Sequence, residues 1–559
     1  MGFFMSAFSE LDLFGKKKKI FAKLRSQFGT DPRKEVWARF TRERMPQIRI
    51  FCDCAEKDEQ GEEYGIDDVT WADLEMDEVF LRVNHTRSYI GEQVLYEKLR
   101  SGRDDTCREN RELLEQLAED ENARLETEYR LQAIGKKQEC YYLPEFINNA
   151  GMLKPEHGWI FRVLQVILIA AIAAAVFFHT TICLGVLIVS ALVNFIVYMV
   201  MKLKYDILLS SMSSLGNLLD FCDWCMKQSY YPVPDADALR EEWKELEKIR
   251  KKLGKFIYAR RSGMTGDPTG ILYEYLLGVT LIDVSRLEGI LSFLEHNRSM
   301  MEKMYRFAGN LDVAISVASF RQGLSAWAYP EVQEAEAGQM KGADTEPIRA
   351  KGLYHPLIDD PVSNDFLMTG RAIITGANAS GKSTFMKALG VNVILSQTLD
   401  TCCAEALSHP WLKVMTSMAI RDDVVSGESY YVREVRYLKR MLDVIDSGKR
   451  TLCIIDEILK GTNQKERLAA SESVLRYIAE RPGFCVIATH DMELVNKLSG
   501  FYEPYYFESI IGEDSVSFNY IIRKGLGGGS NALALLKAFG FPKKVLDEAD
   551  QLMAASFTT

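Results

Sequence analysis

Residues 376–384 have the types and the spacing of a phosphate-binding loop. Gly376, Gly381, Lys382 and Ser383 fit the pattern G-x-x-x-x-G-K-[ST]. Two β-branched residues precede the loop, as at the end of a buried strand, and a helix-forming stretch follows it. In such a loop the backbone N–H groups turn toward phosphate oxygens, and the following helix adds its positive N-terminal end. The predicted nucleotide-binding residues of this loop are Gly376, Ala377, Asn378, Ala379, Ser380, Gly381, Lys382, Ser383 and Thr384.

An apolar run that ends in two carboxylates is the second element of the predicted site. Residues 451–455 are followed by Asp456 and Glu457, as in a buried parallel strand whose carboxyl end faces a ligand. With Lys382 reaching the β- and γ-phosphates of ATP, Ser383 and Asp456 are predicted to hold Mg²⁺. Glu457 is predicted to orient or deprotonate the attacking water. His490 ends a third short apolar run and is predicted to sense the γ-phosphate.

Residues 345–550 resemble the ATPase domain of the MutS family of mismatch-repair proteins. The loop at 376–384 is similar to the family's Gly-Pro-Asn-Met-x-Gly-Lys-Ser-Thr, with Ala377 in place of the proline. The segment at 456–462 is similar to the family's Asp-Glu-x-x-x-Gly-Thr, and residues 421–429 resemble its Asp-Asp-x-x-x-Gly-x-Ser. Residues 463–465 depart from the family's usual Ser-Thr. Weaker similarity reaches back to residue 65.

The resemblance implies additional site residues and a dimeric assembly. Asn378 is implied as a catalytic residue of the loop, and Gln397 lies where these proteins carry their glutamine loop. Ser426, Gly427 and Ser429 are implied to contact the ATP of the partner subunit, and the expected assembly is a homodimer. Too little chain precedes residue 65 for the mismatch-reading and connector domains, so the resemblance implies the ATPase and its lever alone.

A long apolar stretch interrupts the helical region upstream of this segment. From Val163 to Met201 there are 39 residues without Asp, Glu, Lys or Arg. One helix of that length would measure about 58 Å, nearly twice a bilayer core of about 30 Å. Two membrane spans that turn near residues 179–181 fit better. Arg162 precedes the first span and Lys202 follows the second, so the positive-inside rule places both termini and the ATPase domain in the cytoplasm.

The polar or aromatic residues Trp159, Tyr198 and Asn194 lie within or just before this stretch, and a membrane hairpin has to accommodate each of them. Trp159 and Tyr198 suit the interfacial belts of a membrane protein. Asn194 needs a hydrogen-bond partner, which a dimer interface would supply. The alternative to a membrane hairpin is a pair of buried core helices, although soluble cores seldom lack charge over such a length.

The sequence therefore predicts an α/β P-loop NTPase domain of the ABC and MutS type, preceded by an all-α core and lever that carries a two-helix transmembrane hairpin. The predicted divisions are a basic N-terminal segment that lies on a membrane surface or is a solvated helix (1–64), a first helical core part (65–150), the hairpin (151–205), a second core and lever part (206–335), and the ATPase domain (336–559).

Composition and charge restrict the function further. The net charge of −10 provides no overall field that attracts nucleic acid. The 11 cysteines are scattered, as in a reduced cytosolic protein without a disulfide framework. We predict an ATP hydrolase with ATP and Mg²⁺ as cofactors, whose motion acts on the bilayer, on a membrane protein partner, or on DNA near the membrane. The alternative is an ABC-type transporter half, or a membrane-complex ATPase subunit that binds no DNA.

Overall fold

The computed structural model describes residues 17–54, 65–155, 157–228, 278–333, 346–377, 379–418, 430–511, 516–527 and 540–556, with residues 15, 275, 276, 536 and 537. Within these ranges a helical part precedes an α/β part.

The helical part consists of short helices and of three longer ones, which span residues 159–178, 181–227 and 298–322. Its helices are Trp37–Glu43 (α1), Met45–Cys54 (α2), Asp68–Asp73 (α3), Met76–Val83 (α4), Tyr89–Ser101 (α5), Thr106–Glu109 (α6), Arg111–Glu119 (α7), Glu121–Ile134 (α8), Leu143–Asn148 (α9), Trp159–Phe178 (α10), Thr181–Lys227 (α11), Ile282–His296 (α12) and Arg298–Gln322 (α13), with 3₁₀ turns at Pro32–Lys34 and Gln138–Tyr142.

The α/β part contains two sheets. Its strands are Glu331–Gln333 (β1), Ile348–Leu353 (β2), Asn364–Met368 (β3), Arg371–Thr375 (β4), Ala406–Pro410 (β5), Lys413–Ser417 (β6), Thr451–Asp456 (β7), Phe484–Ala488 (β8), Glu503–Ile511 (β9) and Val516–Lys524 (β10). Its helices are Lys382–Thr398 (α14), Tyr430–Asp446 (α15), Gln464–Ala479 (α16), Met492–Lys497 (α17) and Lys543–Ser556 (α18).

The larger sheet has the order β10-β9-β4-β8-β7-β6, and all neighbours pair in parallel except β9 and β10. Strands β4, β7 and β8 are buried along nearly their whole length, as expected for central parallel strands covered on both faces. The smaller sheet has the order β1-β5-β2-β3. Since β1 pairs with β5, the α/β part begins slightly before the predicted boundary at residue 336.

The buried carboxylate of Asp312 joins two helices of the core, α5 and α13. Asp312 of α13 accepts hydrogen bonds from the backbone N–H groups of Arg87 and Ser88 and from the Ser88 hydroxyl. Ser88 in turn caps α5 by accepting from the N–H of Gly91. A Cβ atom at Gly91 would overlap the Asp312 carboxylate, so the close approach of α5 and α13 requires glycine there.

A second buried carboxylate fixes the helical part to the larger sheet. Asp73, at the end of α3, accepts hydrogen bonds from Thr416 Oγ1 at 2.7 Å and from the N–H of Met418 at 3.0 Å. Thr416 is the last residue but one of β6, and Met418 follows the strand directly. The α3 helix therefore holds the strand end that leads into residues 419–429.

Replacing Asp73 with Ala should destabilise the protein more than replacing an exposed aspartate. The change leaves two buried donors without this acceptor, and each such loss costs about 1–3 kcal/mol. We expect a total loss of about 2–4 kcal/mol, seen as a lower melting temperature in detergent. Asp359→Ala is the control, because this side chain is 67% exposed; equal melting temperatures of the two variants would contradict the account.

Helices α10 and α11 form the predicted hairpin and turn where the sequence indicates. His179 has a left-handed φ of 48°, and Thr180 caps α11 by accepting from the N–H of Cys183. Trp159–Phe178 and Thr181–Leu208 are long and apolar enough to cross a membrane, and only 17% and 11% of their most apolar windows are buried. Helix α11 does not end with the predicted hairpin but kinks at Tyr205 and continues into the core.

The basic N-terminal helix, residues 17–27, lies against α8. Lys17 pairs with Glu126 at 2.6 Å, and the Phe21 ring meets the Tyr129 ring edge-on at 6.0 Å. Leu24 is buried. The apolar side of this helix therefore faces protein, which favours the surface-helix interpretation for its described residues over a membrane-surface one.

Candidate nucleotide-binding site

The glycine-rich loop joins β4 to α14, as its flanking residues predict. Gly376 and Gly381 have φ values of 142° and 103°, and a Cβ at Gly376 would lie 2.9 Å from the carbonyl oxygen of Phe507. Lys382 begins α14, and its Nζ donates to the carbonyls of Gly376 and Ala377, both at 2.8 Å. The ammonium is thereby held inside the loop, where the phosphates of a nucleotide would lie.

Ser380 and Ser383 show that the loop suits a phosphate and a cation. The Ser380 hydroxyl oxygen is buried and has no hydrogen-bond partner in the described part of the chain. Ser383 Oγ donates to the carboxylate of Asp456 at the end of β7. A hydroxyl and a carboxylate in contact at the carboxyl edge of a parallel sheet are the oxygen ligands that Mg²⁺ takes in nucleotide sites.

The carboxylate of Glu457 is held from two sides. Its Oε1 lies 2.8 Å from His490 Nδ1, and its Oε2 lies 2.9 Å from Lys460 Nζ. Glu457 has a left-handed φ of 59°, and its N–H donates to the carbonyl of Ala488. Left-handed backbone costs free energy in a residue with a Cβ, and such strain is found where the surrounding structure enforces it.

Glu434 supports the loop that follows Glu457. The Glu434 side chain on α15 is buried and accepts from the backbone N–H of Lys460 at 3.2 Å. The N–H groups of Leu459 and Gly461 also face this carboxyl group. Leu459 is left-handed as well, with a φ of 55°. Glu434 follows the segment that contains Ser426, Gly427 and Ser429 in the sequence. Its carboxyl group thus positions the loop that carries Lys460.

The charges around Glu457 determine its pKa. Burial by itself would raise the pKa of the carboxyl group, but hydrogen bonds and positive charge from Lys460 and His490 outweigh burial and hold the pKa below its usual value. A base with a lowered pKa stays deprotonated further into the acid range, and its activity is lost as the pH falls through that pKa.

Replacing Lys460 with Met should therefore move the acid limb of the pH–rate profile to higher pH. The variant removes the charge of Lys460 and its hydrogen bond to Glu457, so the pKa of the base rises. The measurement is kcat/KM for ATP as a function of pH. Lys465→Met, on the exposed start of α16, is the control. An acid limb that does not move would show that Lys460 does not set the pKa of the base.

These residues line one cavity of about 660 Å³. Its polar lining includes Asp456, Glu457, His490 and Lys460 beside the loop. Apolar and aromatic side chains complete the wall, namely Ile358, Pro361, Val362 and Tyr520. Asn364 connects this wall to β10 by donating to the carbonyl of Tyr520 and accepting from the N–H of Ile522.

The structure brings most of the predicted site residues together but places Gln397 elsewhere. Ala379, Gly381, Lys382, Ser383, Thr384, Asp456, Glu457 and His490 all line the cavity. Gln397 lies fifteen residues beyond Lys382 on α14, about 22 Å along the helix. It is fully buried, donates to the carbonyls of Gly102 and Leu412, and accepts from the N–H of Leu412. Its position joins the helical part to the sheet and does not reach the nucleotide.

Four of the predicted site residues lie outside the described residues. They are Asn378, Ser426, Gly427 and Ser429. The sequence analysis did not identify Lys460 or the apolar residues of the cavity wall.

Comparison with known proteins agrees with this geometry. Residues 372–556 match the family model described as MutS domain V. The chain is 29% identical over 221 residues to a DNA mismatch repair protein MutS of Natronomonas pharaonis, covering 38% of this chain and 26% of that protein. It is 28% identical over 239 residues to the MutS of Aquifex pyrophilus, covering 41% and 26%. It is 28% identical over 268 residues to a MutS 2 of Halobacterium salinarum, covering 46% and 30%.

The matches span about a quarter to a third of the length of these curated relatives. The matched family model contains the strands and helices that position the loop, Asp456, Glu457 and His490. Residues 372–556 of this chain are therefore similar to the ATPase domain of MutS proteins.

Proposed function

We propose that this protein is a membrane-anchored MutS-like ATPase that hydrolyses ATP and converts hydrolysis into movement of its helical part. The observation that carries the proposal is the single cavity that unites Lys382, Ser383, Asp456, Glu457 and His490. Each side chain lies at the carboxyl end of a parallel strand or at the start of α14, which is where α/β nucleotide sites form.

The residues divide the chemistry among them. Lys382 and the loop N–H groups bind the β- and γ-phosphates, and the apolar side chains of Ile358 and Val362 in the same cavity offer a surface for the adenine. Ser383 and Asp456 would hold Mg²⁺, which would supply positive charge near the phosphate oxygens. Glu457 accepts the proton of the attacking water. His490 contacts Oε1 of this carboxylate and Lys460 contacts Oε2, and the two contacts hold the carboxylate in place.

The helical hairpin anchors the protein in a bilayer. Large apolar side chains on α10 and α11 are exposed, among them Val166 at 65%, Phe177 at 80% and Ile188 at 60%. Such a continuous apolar surface is unfavourable in water and matches the hydrocarbon core of a membrane. Both termini and the ATPase domain then lie in the cytoplasm, because the flanking residues Arg162 and Lys202 stay on that side.

The active form is a homodimer in which each ATP contacts both subunits. Ser426, Gly427 and Ser429 would supply the trans contacts, as the family resemblance implies. The described residues on either side of these three residues contact other parts of the chain. These contacts support a role in transmitting movement between the nucleotide site and the helical part. Asp73 holds the preceding strand end, and Glu434 on the following helix positions the Lys460 loop.

ATP turnover in lipid nanodiscs, with and without duplex DNA at two salt concentrations, tests this function. We expect turnover in both cases. If DNA raises the turnover of ATP and this effect becomes smaller at the higher salt concentration, the helical part binds nucleic acid. The names of the curated relatives suggest this outcome. Turnover indifferent to DNA would assign the motion to a membrane partner. Absence of turnover in a folded, membrane-bound protein would contradict the proposed ATPase.

A further inference from the structure

Two amide side chains inside the apolar hairpin bind the backbone of a third segment. Gln165 of α10 donates to the carbonyl of Thr280 at 2.8 Å, and Asn194 of α11 donates to the carbonyl of Val279 at 2.8 Å. Asn194 is buried. Its partner is thus in the same chain, and the expectation that a dimer interface supplies this partner is wrong.

The accepting carbonyls lie at a break between two helices. Residues 275, 276 and 278–280 are helical, Leu281 has a left-handed φ of 52°, and α12 begins at Ile282. A helix end leaves its last carbonyls without intrahelical partners. In water such carbonyls need no protein partner, whereas at membrane depth non-helical backbone is tolerated only where protein satisfies it.

The depth of the contact follows from helix geometry. Gln165 lies six residues after Trp159, and Asn194 lies eight residues before Lys202. At 1.5 Å per residue these positions are about 9 Å and about 12 Å from the cytoplasmic ends of the two spans. A bilayer core is about 30 Å thick, so both amides lie within its cytoplasmic half.

The segment fits closely against the hairpin on one side and is exposed on the other. The Tyr275 ring stacks on Phe195 with centroids 5.5 Å apart, and a Cβ at Gly278 would lie 3.0 Å from the rings of Phe195 and Tyr198. Tyr275 and Leu276 are nevertheless 55% and 54% exposed. Apolar side chains thus continue the exposed surface of the hairpin at this level.

From these contacts we infer that residues 275, 276 and 278–281 belong to a third membrane element, which enters the cytoplasmic leaflet beside the hairpin and contacts lipid through Tyr275 and Leu276. This inference rests on the proposed membrane anchoring. The segment continues directly into α12 and then α13, whose end leads to β1 of the ATPase part.

Fluorescence quenching in nanodiscs tests the inference. In a background with Cys52, Cys54 and Cys183 changed to Ser, Leu276→Cys is labelled with an environment-sensitive dye. The lipids carry a nitroxide near the headgroup. Val166→Cys, at the same depth on α10, is the lipid control, and Met492→Cys on the ATPase part is the water control.

We expect the label at 276 to show blue-shifted emission and to be quenched as strongly as the label at 166. A label at 276 that behaves like the one at 492, while 166 is quenched, would overturn the inference and leave the membrane anchor standing. If neither 276 nor 166 is quenched, the proposed anchor fails as well.

A double variant tests whether the amides hold the segment. Gln165→Leu with Asn194→Leu keeps the hairpin apolar but removes both donors, so the label at 276 should lose its quenching while the label at 166 keeps it. Ser190→Ala is the matched control, because Ser190 Oγ donates to the carbonyl of Leu187 in its own helix. Unchanged quenching at 276 in the double variant would show that Gln165 and Asn194 do not position the segment.

Discussion

Glu457→Gln should leave ATP binding intact and lower the turnover of ATP by about 10²–10⁴-fold, the usual contribution of a general base. The amide keeps the size of the carboxylate and can still accept from Lys460, but it cannot take a proton from water. Lys382 and the loop are untouched, so the affinity for a fluorescent ATP analogue should change little. The measurement is single-turnover hydrolysis beside equilibrium binding.

The control for this variant is Glu493→Gln. Glu493 lies on α17, close to His490 in sequence, with a side chain that is 59% exposed. It should hydrolyse ATP at the rate of the unaltered protein. Normal hydrolysis by Glu457→Gln would show that another group activates the water. Loss of nucleotide binding in that variant would show that Glu457 serves the fold of the site.

Two arginines at the centre of the hairpin should release the protein from membranes. Ile169 and Leu192 are 65% and 57% exposed and lie near the middle of the two apolar spans. An arginine at the bilayer centre costs about 2.5–3.5 kcal/mol on insertion scales. The double variant Ile169→Arg with Leu192→Arg should therefore fail to insert and should leave the membrane pellet after alkaline extraction.

Met492→Arg is the matched control for extraction, because Met492 is an exposed apolar residue of the ATPase part. This variant should remain in the pellet. If the double arginine variant also remains there, the hairpin does not cross the bilayer. If the unaltered protein is extracted without detergent, α10 and α11 pack against another protein surface.

Contiguous motifs allowed most of the nucleotide site to be predicted. The loop, the acids after β7 and the histidine after β8 each sit at a strand end, and parallel pairing brings strand ends to one edge. The turn of the hairpin was equally accessible, because it depends only on the length of an apolar run. In both cases the information lies within one continuous stretch of the chain.

Features that depend on distant contacts were not predictable. The contact of Asp73 with Thr416 and Met418 joins residues more than three hundred positions apart. The partner of Asn194 is a backbone carbonyl, which carries no sequence signal. The left-handed conformation of Leu459 occurs at a residue type that disfavours it, so no local preference indicated how Lys460 reaches Glu457.

Gln397 shows a different limit. Its position in the sequence matched a family pattern, yet α14 runs unbroken from Lys382 to Thr398 and carries it far from the loop. Helix length alone would have revealed this separation. Residue-by-residue transfer from a family is therefore safest where the residue lies within the same turn or strand end as the motif.

The most direct test of the account is the Mg²⁺-dependent turnover of ATP by the unaltered protein in lipid nanodiscs, measured beside Lys382→Ala. We expect steady phosphate release that requires Mg²⁺ and is lost in Lys382→Ala, because this ammonium lies inside the phosphate loop. Turnover that persists in Lys382→Ala, or none in the folded unaltered protein, would contradict the assignment of this cavity as an ATPase site.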